Sequence, residues 1–236
     1  MLSIHLKSQL RKFRDSEDGT TLVEMAICIS LFLLILFAIL DFSRLGYNWV
    51  ITEKGMQQAA RIAAVRPAVC GGLPAVHLQD PTDTGDYSAG TLCLTNGGIC
   101  APAAASCLLS GPYGSDNAAG AATATEIWSR IQPLMPQGTT QSNVLMTYEY
   151  DPRLGFLGGP YVPVITARIV GGAKDPGDVA EGELPYNELP FQFITPLSAL
   201  AAQAGASDVT GIPGSIPFPG IEVTIPAEDM NQGNAG

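Results

Sequence analysis

The chain has 236 residues, 14% of them charged and 46% hydrophobic, with a formal net charge of −10. That length suffices for one folded domain plus an accessory element, and an acidic body with scattered cations offers no footprint for nucleic acid. With 26 Gly and 18 Pro, a large helical domain is disfavoured and short strands joined by many turns are expected.

Residues 1–19 are polar and hold Lys7, Arg11, Lys12 and Arg14, against Asp15, Glu17 and Asp18. From Thr20 to Leu40 the chain is apolar apart from Glu24, and residues 25–40 carry no charge. About 21 helical residues span roughly 30 Å, the thickness of a hydrocarbon core. No Gly or Pro interrupts Thr20–Phe42, so residues 20–42 read as a transmembrane helix. The basic cluster before it sets the N-terminus in the cytoplasm and the remainder across the membrane, by the positive-inside bias. Membrane lipid is therefore an expected partner.

The helical pattern runs on past the span. Phe42, Leu45, Trp49, Met56, Ala60 and Ala63 recur at helical spacing, with polar Arg44, Asn48, Gln58 and Arg61 largely between them. Trp49 and Tyr47 also suit a membrane interface. Pro67 ends the helix by removing an N–H and disfavouring helical geometry at Arg66. One helix over 20–66 would be on the order of 70 Å long, more than an anchor requires.

Residues 67–125 are rich in Gly, Ala, Pro and Asn, and form a loop region with one short helix near "AATATEIWSRIQ". They contain Cys70, Cys93, Cys100 and Cys107. On the exported side an even count implies two disulfides with three possible connectivities. Asn96-Gly97, a two-residue hairpin signal, favours Cys93–Cys100 and hence Cys70–Cys107. Zinc is the competing reading, but there is no C-x-x-C pair and no nearby histidine except His77. Cys28, inside the apolar run, reads as a small hydrophobe.

Residues 126–236 form the β-rich part. "NVLMTYEY" (143–150), "YVPVITARIV" (161–170), "LPFQFIT" (189–195) and "GIEVTIP" (220–226) are strand candidates. "DPRLGFLGGP" is long for a hairpin loop, and Pro163 demotes the start of its strand to an edge or bulge. "PGSIPFPGIEVTIP" reads as a proline-punctuated edge or loop, and "AEDMNQGNAG" as a disordered end. The expected fold class is α+β: a single-pass membrane protein whose long N-terminal helix precedes a small disulfide-stapled periplasmic domain with a short antiparallel sheet.

Glu24 is the anomaly. A carboxylate at the centre of a spanning helix costs about 2.5–3.5 kcal/mol even on gentle insertion scales. A lone Glu near a helix start can snorkel to the interface and mean nothing. Here Gly19 precedes Thr20-Thr21-Leu22-Val23-Glu24, behind a basic leader and ahead of an unbroken apolar helix.

This constellation resembles the type IV prepilin signal. "FRDSEDGTTLVEMAICISLFLLILFAILDFSRLGYNW" followed by "MQQAARIAAV" resembles, more specifically, the TadE-like pseudopilins of tight-adherence (Flp-type) pilus systems, over about residues 11–66. Thr20 departs from the Phe usual at the first mature position of major type IV pilins. The resemblance implies that a prepilin peptidase cuts after Gly19, leaving Thr20 as the new N-terminus. Gly19, lacking a side chain, lets an extended backbone lie close to a protease. The amine freed at Thr20 on a neighbouring subunit would be a cation for Glu24, making Glu24 a register-setting residue of assembly.

Other sorting signals fit less well: residues 36–46 offer no A-x-A-like cleavage site, and Ile27 before Cys28 departs from a lipoprotein signal. A catalytic set is not evident. His77 is the one histidine beyond the leader, and neither G-x-S-x-G nor a phosphate-cradling G-x-x-x-x-G-K-[ST] occurs. Asp80, Asp83 and Asp86 lack the alternating spacing of a calcium loop and read as turn formers.

The sequence thus points to a non-enzymatic minor pilin, with no cofactor and no metal, in the bacterial inner membrane. Its partners would be other pilins through the N-terminal helix, the prepilin peptidase and the inner-membrane assembly platform. The rival is an uncleaved, membrane-anchored periplasmic binding or adhesion protein.

Overall fold

The computed structural model describes residues 18–114, 117–181, 183–194, 215–228 and 230. Two compact units emerge: 1–45 with 191–216, and 46–190 with 217–236.

Helix α1 runs unbroken over Asp18–Val65. It is the one helix among the described residues long and apolar enough to cross a membrane, and it agrees with a single-pass fold. In the first unit its apolar side chains stand open: Leu22 is 73% exposed and Phe32 64%. A soluble monomer rarely leaves such a run uncovered, so lipid or other helices must cover it.

From Thr52 onward α1 belongs to a packed core. Thr52, Met56, Ala59, Ala60 and Ala63 are fully buried, and Ala64 nearly so. Their spacing of three and four residues makes one stripe, while Glu53, Lys54, Gln57, Gln58 and Arg61 face water. Small residues on that stripe let neighbouring elements approach closely. A Cβ added at Gly55 would stand 2.4 Å from Met135 Cε, and the Thr52 hydroxyl donates to Leu134 O at 3.5 Å. Of the apolar residues read on one side of this helix, Met56, Ala60 and Ala63 are buried whereas Phe42 and Trp49 are exposed, because the buried stripe starts only at Thr52.

Helix α2, Ala118–Ile131, buries Thr123, Ala124, Ile127 and Ile131. Its cap ties it to the segment after α1. Asn117 Oδ1 accepts from Gly120 N at 2.9 Å, and Asn117 Nδ2 donates to Ala68 O and Val69 O at 3.0 Å each. One side chain thereby satisfies a helix terminus and two loop carbonyls.

Strands β1 (Ala105–Leu108), β2 (Val144–Glu149), β3 (Val164–Ile169) and β6 (Glu222–Pro226) form an antiparallel sheet in the order β1-β2-β3-β6. Strands β4 (Pro190–Gln192) and β5 (Ser215–Pro217) make a separate two-stranded sheet. Register in the larger sheet places Met146, Ala167 and Val223 in one row and Tyr148, Ile165 and Ile225 in the next. Met146, Tyr148, Ile165 and Ala167 are fully buried, whereas Val223 and Ile225 on the edge strand are partly exposed. The opposite face carries a row of hydroxyls, Ser106, Thr147, Thr166 and Thr224, in mutual register. Tyr148 anchors the sheet to the chain beyond α1 by accepting from Val69 N at 3.0 Å, and burial pushes its phenol up to about 12.

β1 lies in the region expected to be loop, and β5 in a segment read as edge or loop. The end of the chain also differs from expectation. Ala227 and Met230 are buried, and Glu228 N donates to Ala64 O at 2.9 Å; those contacts order residues that composition alone makes look loose. Residues 231–236 lie outside the described residues.

Two disulfides close the fold, Cys70–Cys107 and Cys93–Cys100, spanning 37 and 7 positions. By loop-closure entropy they are worth on the order of 4 and 2.5 kcal/mol. "DPRLGFLGGP" is longer than a hairpin connection because it pairs with the cystine loop: Phe156 bridges Leu92, and Pro160 bridges Val76.

Candidate functional site

The residues that carry the processing and register expectations sit on the first two turns of α1. The Gly19–Thr20 peptide is already helical, since α1 begins at Asp18. A protease that reads extended backbone would have to unwind that first turn, where glycine opposes least, being about 1 kcal/mol worse than Ala in a helix. Thr20, Thr21 and Glu24 are exposed. Glu24 lies four residues beyond Thr20, about 6 Å along the axis, among the exposed Leu22, Val23, Met25 and Ile27. A carboxylate presented from an uncovered apolar surface is what a partner helix would meet first.

A second acid on the same helix escaped the sequence reading. Asp41 is fully buried in the first unit. It forms an ion pair with Arg44, Oδ1 to Nη1, at 3.2 Å and accepts from Ile194 N at 3.4 Å. Around it Phe42 stacks edgewise on Phe193 at 6.3 Å between centroids, Phe193 on Phe191 at 6.0 Å, and the Arg44 guanidinium lies 5.7 Å over Phe191. The findable signal was Asp41 with a cation three residues on, an i, i+3 pair on one helical face. Its aromatic cover comes from 150 residues away and leaves no local trace.

In the second unit His77 is 1% exposed. Its Nε2 accepts from Val162 N at 3.3 Å, and its ring lies 5.0 Å from that of Tyr161. Gly155, at φ +93°, gives the ring its room: a Cβ there would be 2.2 Å from Nε2. Burial holds the imidazole below its ordinary 6.5. No nucleophile is aligned with His77 among the hydrogen bonds of the described residues; its neighbours are the Cys93–Cys100 disulfide and tyrosines.

The Asp80–Asp86 run makes turns. Asp80 Oδ1 accepts from Thr82 N at 2.8 Å and from its hydroxyl at 2.7 Å, and the Thr82 hydroxyl first among these holds the Asp80 carboxyl below its usual range. Asp83 Oδ1 accepts from Gly85 N at 2.8 Å. Both are side-chain-to-backbone turns two residues long.

Neither the curated proteins nor the solved structures contain a match to this chain. A family model described as TadE-like protein matches residues 19–61, the stretch that contains Glu24, the exposed apolar run and most of the buried stripe. Over those residues, under a fifth of the chain, the N-terminal helix is similar to that of TadE-like proteins.

Proposed function

We propose that the chain is a minor pilin of a tight-adherence pilus, without catalytic activity, that helps assemble or initiate the filament through its N-terminal helix. In this reading the helix holds the protein in the inner membrane, N-terminus in the cytoplasm and folded part in the periplasm. A prepilin peptidase cuts after Gly19, and the assembly platform and other pilins receive the mature chain.

The single observation that carries the reading is the exposed helical surface around Glu24. An apolar helix needs no carboxylate to sit in lipid, and one without a partner is costly there. A parallel helix displaced by about 6 Å brings its Thr20 amine level with Glu24. That offset recovers the cost, and other offsets leave the acid unpaired, so the pair selects one register. Polar groups set register in this way in coiled coils.

Glu24→Ala tests it. The variant inserts into the membrane at normal levels and fails to support pilus assembly, scored by microscopy and by membrane fractionation. Wild-type piliation with Glu24→Ala contradicts the register argument. An adhesin-like anchor, by contrast, tolerates the change.

A further inference from the structure

The cystine pocket of the second unit contains more ligand chemistry than a structural disulfide uses. We infer that the dithiol form of the Cys93–Cys100 loop is a zinc-type metal site, ligated by both thiolates and one imidazole nitrogen of His77. The inference stands on this pocket alone and does not depend on the pilin reading.

A His77 ring nitrogen and the two sulfurs lie within 4.8 Å of one another, and all three residues are buried. His77 Nδ1 is buried with no hydrogen-bond partner among the described residues, and so is the hydroxyl of Tyr150. The two rings are 6.1 Å apart, and Tyr150 packs on the cluster of Cys93, Ile99 and Cys100. Two unpartnered buried polar groups on neighbouring rings are costly, and a ligand that engages the imidazole removes part of that cost.

Tetrahedral Zn–S bonds of about 2.3 Å put two sulfurs roughly 3.7 Å apart, so the reduced loop has to open. The loop that must open contains Asn96, Gly97 and Gly98, all at positive φ, two of them glycines with no side chain to displace. Two thiolates and an imidazole select Zn²⁺ over Mg²⁺ or Ca²⁺, which prefer oxygen. The fourth position falls to water or to the Tyr150 phenol.

A newly synthesised chain carries the dithiol. Both thiols lose their protons as their sulfurs bond to Zn²⁺, and two protons are released. Formation of the disulfide then expels the metal: the Cys93–Cys100 S–S bond forms as a protein disulfide oxidant's S–S bond breaks, the oxidant taking two electrons from the two thiolates and two protons from solvent to become a dithiol, and Zn²⁺ leaves. Metal and cystine are alternative ways of filling one pocket.

The test uses the full chain in detergent micelles, reduced with a phosphine and titrated with Co²⁺. One equivalent binds with a thiolate-to-metal charge-transfer band and the intense visible bands of a tetrahedral site; Zn²⁺ displaces it, and unreduced protein shows neither band. His77→Gln weakens binding at least tenfold, since losing even an outer-shell partner of a metal ligand costs about 10–100-fold. The Cys93→Ser/Cys100→Ser double variant, which keeps Cys28, Cys70 and Cys107, abolishes the spectrum. Alkylation mapped by mass spectrometry gives a reading that holds whether or not the dithiol chain keeps its fold: Zn²⁺ protects Cys93 and Cys100 in the wild type and not in His77→Gln. Equal cobalt affinity in wild type and His77→Gln, a spectrum that survives loss of both cysteines, or absence of zinc protection overturns the site.

Discussion

At the residue scale, His77 shows how burial converts a titratable side chain into a pH-dependent element of the fold. Desolvation lowers its pKa below 6.5 in the native chain, whereas the unfolded chain keeps the ordinary value. Below 6.5 the unfolded state therefore binds more protons than the native state, and stability falls as pH drops through the window between the ordinary and the lowered value. Above 6.5 both states are neutral and the contribution is complete. Denaturant unfolding of the full chain in detergent is accordingly expected to give a lower midpoint at about pH 5.5 than at about pH 7.5, with a smaller difference in His77→Gln; an equal difference in the two proteins contradicts the assignment. The sequence made His77 conspicuous only by scarcity. Its enclosure depends on Gly155, in "DPRLGFLGGP", whose open backbone leaves space for the ring, and no local pattern links positions 77 and 155. Asn96-Gly97, by contrast, was legible as a turn because both residues tolerate positive φ. The turn they make is a 3-10 one over Thr95–Gly97 rather than a two-residue hairpin.

At the scale of elements, α1 was readable as one long helix because its apolar run and its Pro67 stop are local signals. What remained hidden was where burial begins, since that depends on tertiary partners for Thr52 and the residues after it. The alanine stripe turns this into a prediction. Ala60 is fully buried and Gln58 is exposed on the other side of the same helix. Ala60→Leu overpacks a closely approached surface and is expected to cost about 1–3 kcal/mol, while Gln58→Leu stays within about 0.5 kcal/mol; chemical denaturation in detergent compares them. Equal effects would mean that the stripe is not a packing surface. Strand β1 was missed for a related reason. "ASCL" has no alternation of its own and becomes a strand because Ala105–Leu108 registers against Tyr148–Leu145. β2, β3 and β6 carry Val, Ile, Thr and Tyr at period two and were legible without a partner.

At the scale of the whole molecule, charge and hydropathy divide the chain before any fold is known. The first 19 residues are basic, the next stretch is apolar, and the remainder is acidic and punctuated by glycine and proline. The fold follows that division: an open apolar helix in the first unit, and a sheet, helix α2 and two disulfides in the second. A match to TadE-like protein over residues 19–61 falls on the apolar part of that division and on the helix that continues it. The account turns on processing, since the cation offered to Glu24 exists only after the leader is removed. Intact-mass and N-terminal analysis of this protein, purified from piliated cells, is the most direct measurement. The account predicts a mature chain beginning at Thr20, and the uncut chain when the prepilin peptidase gene is deleted; a chain still carrying residues 1–19 in cells that build pili would contradict it.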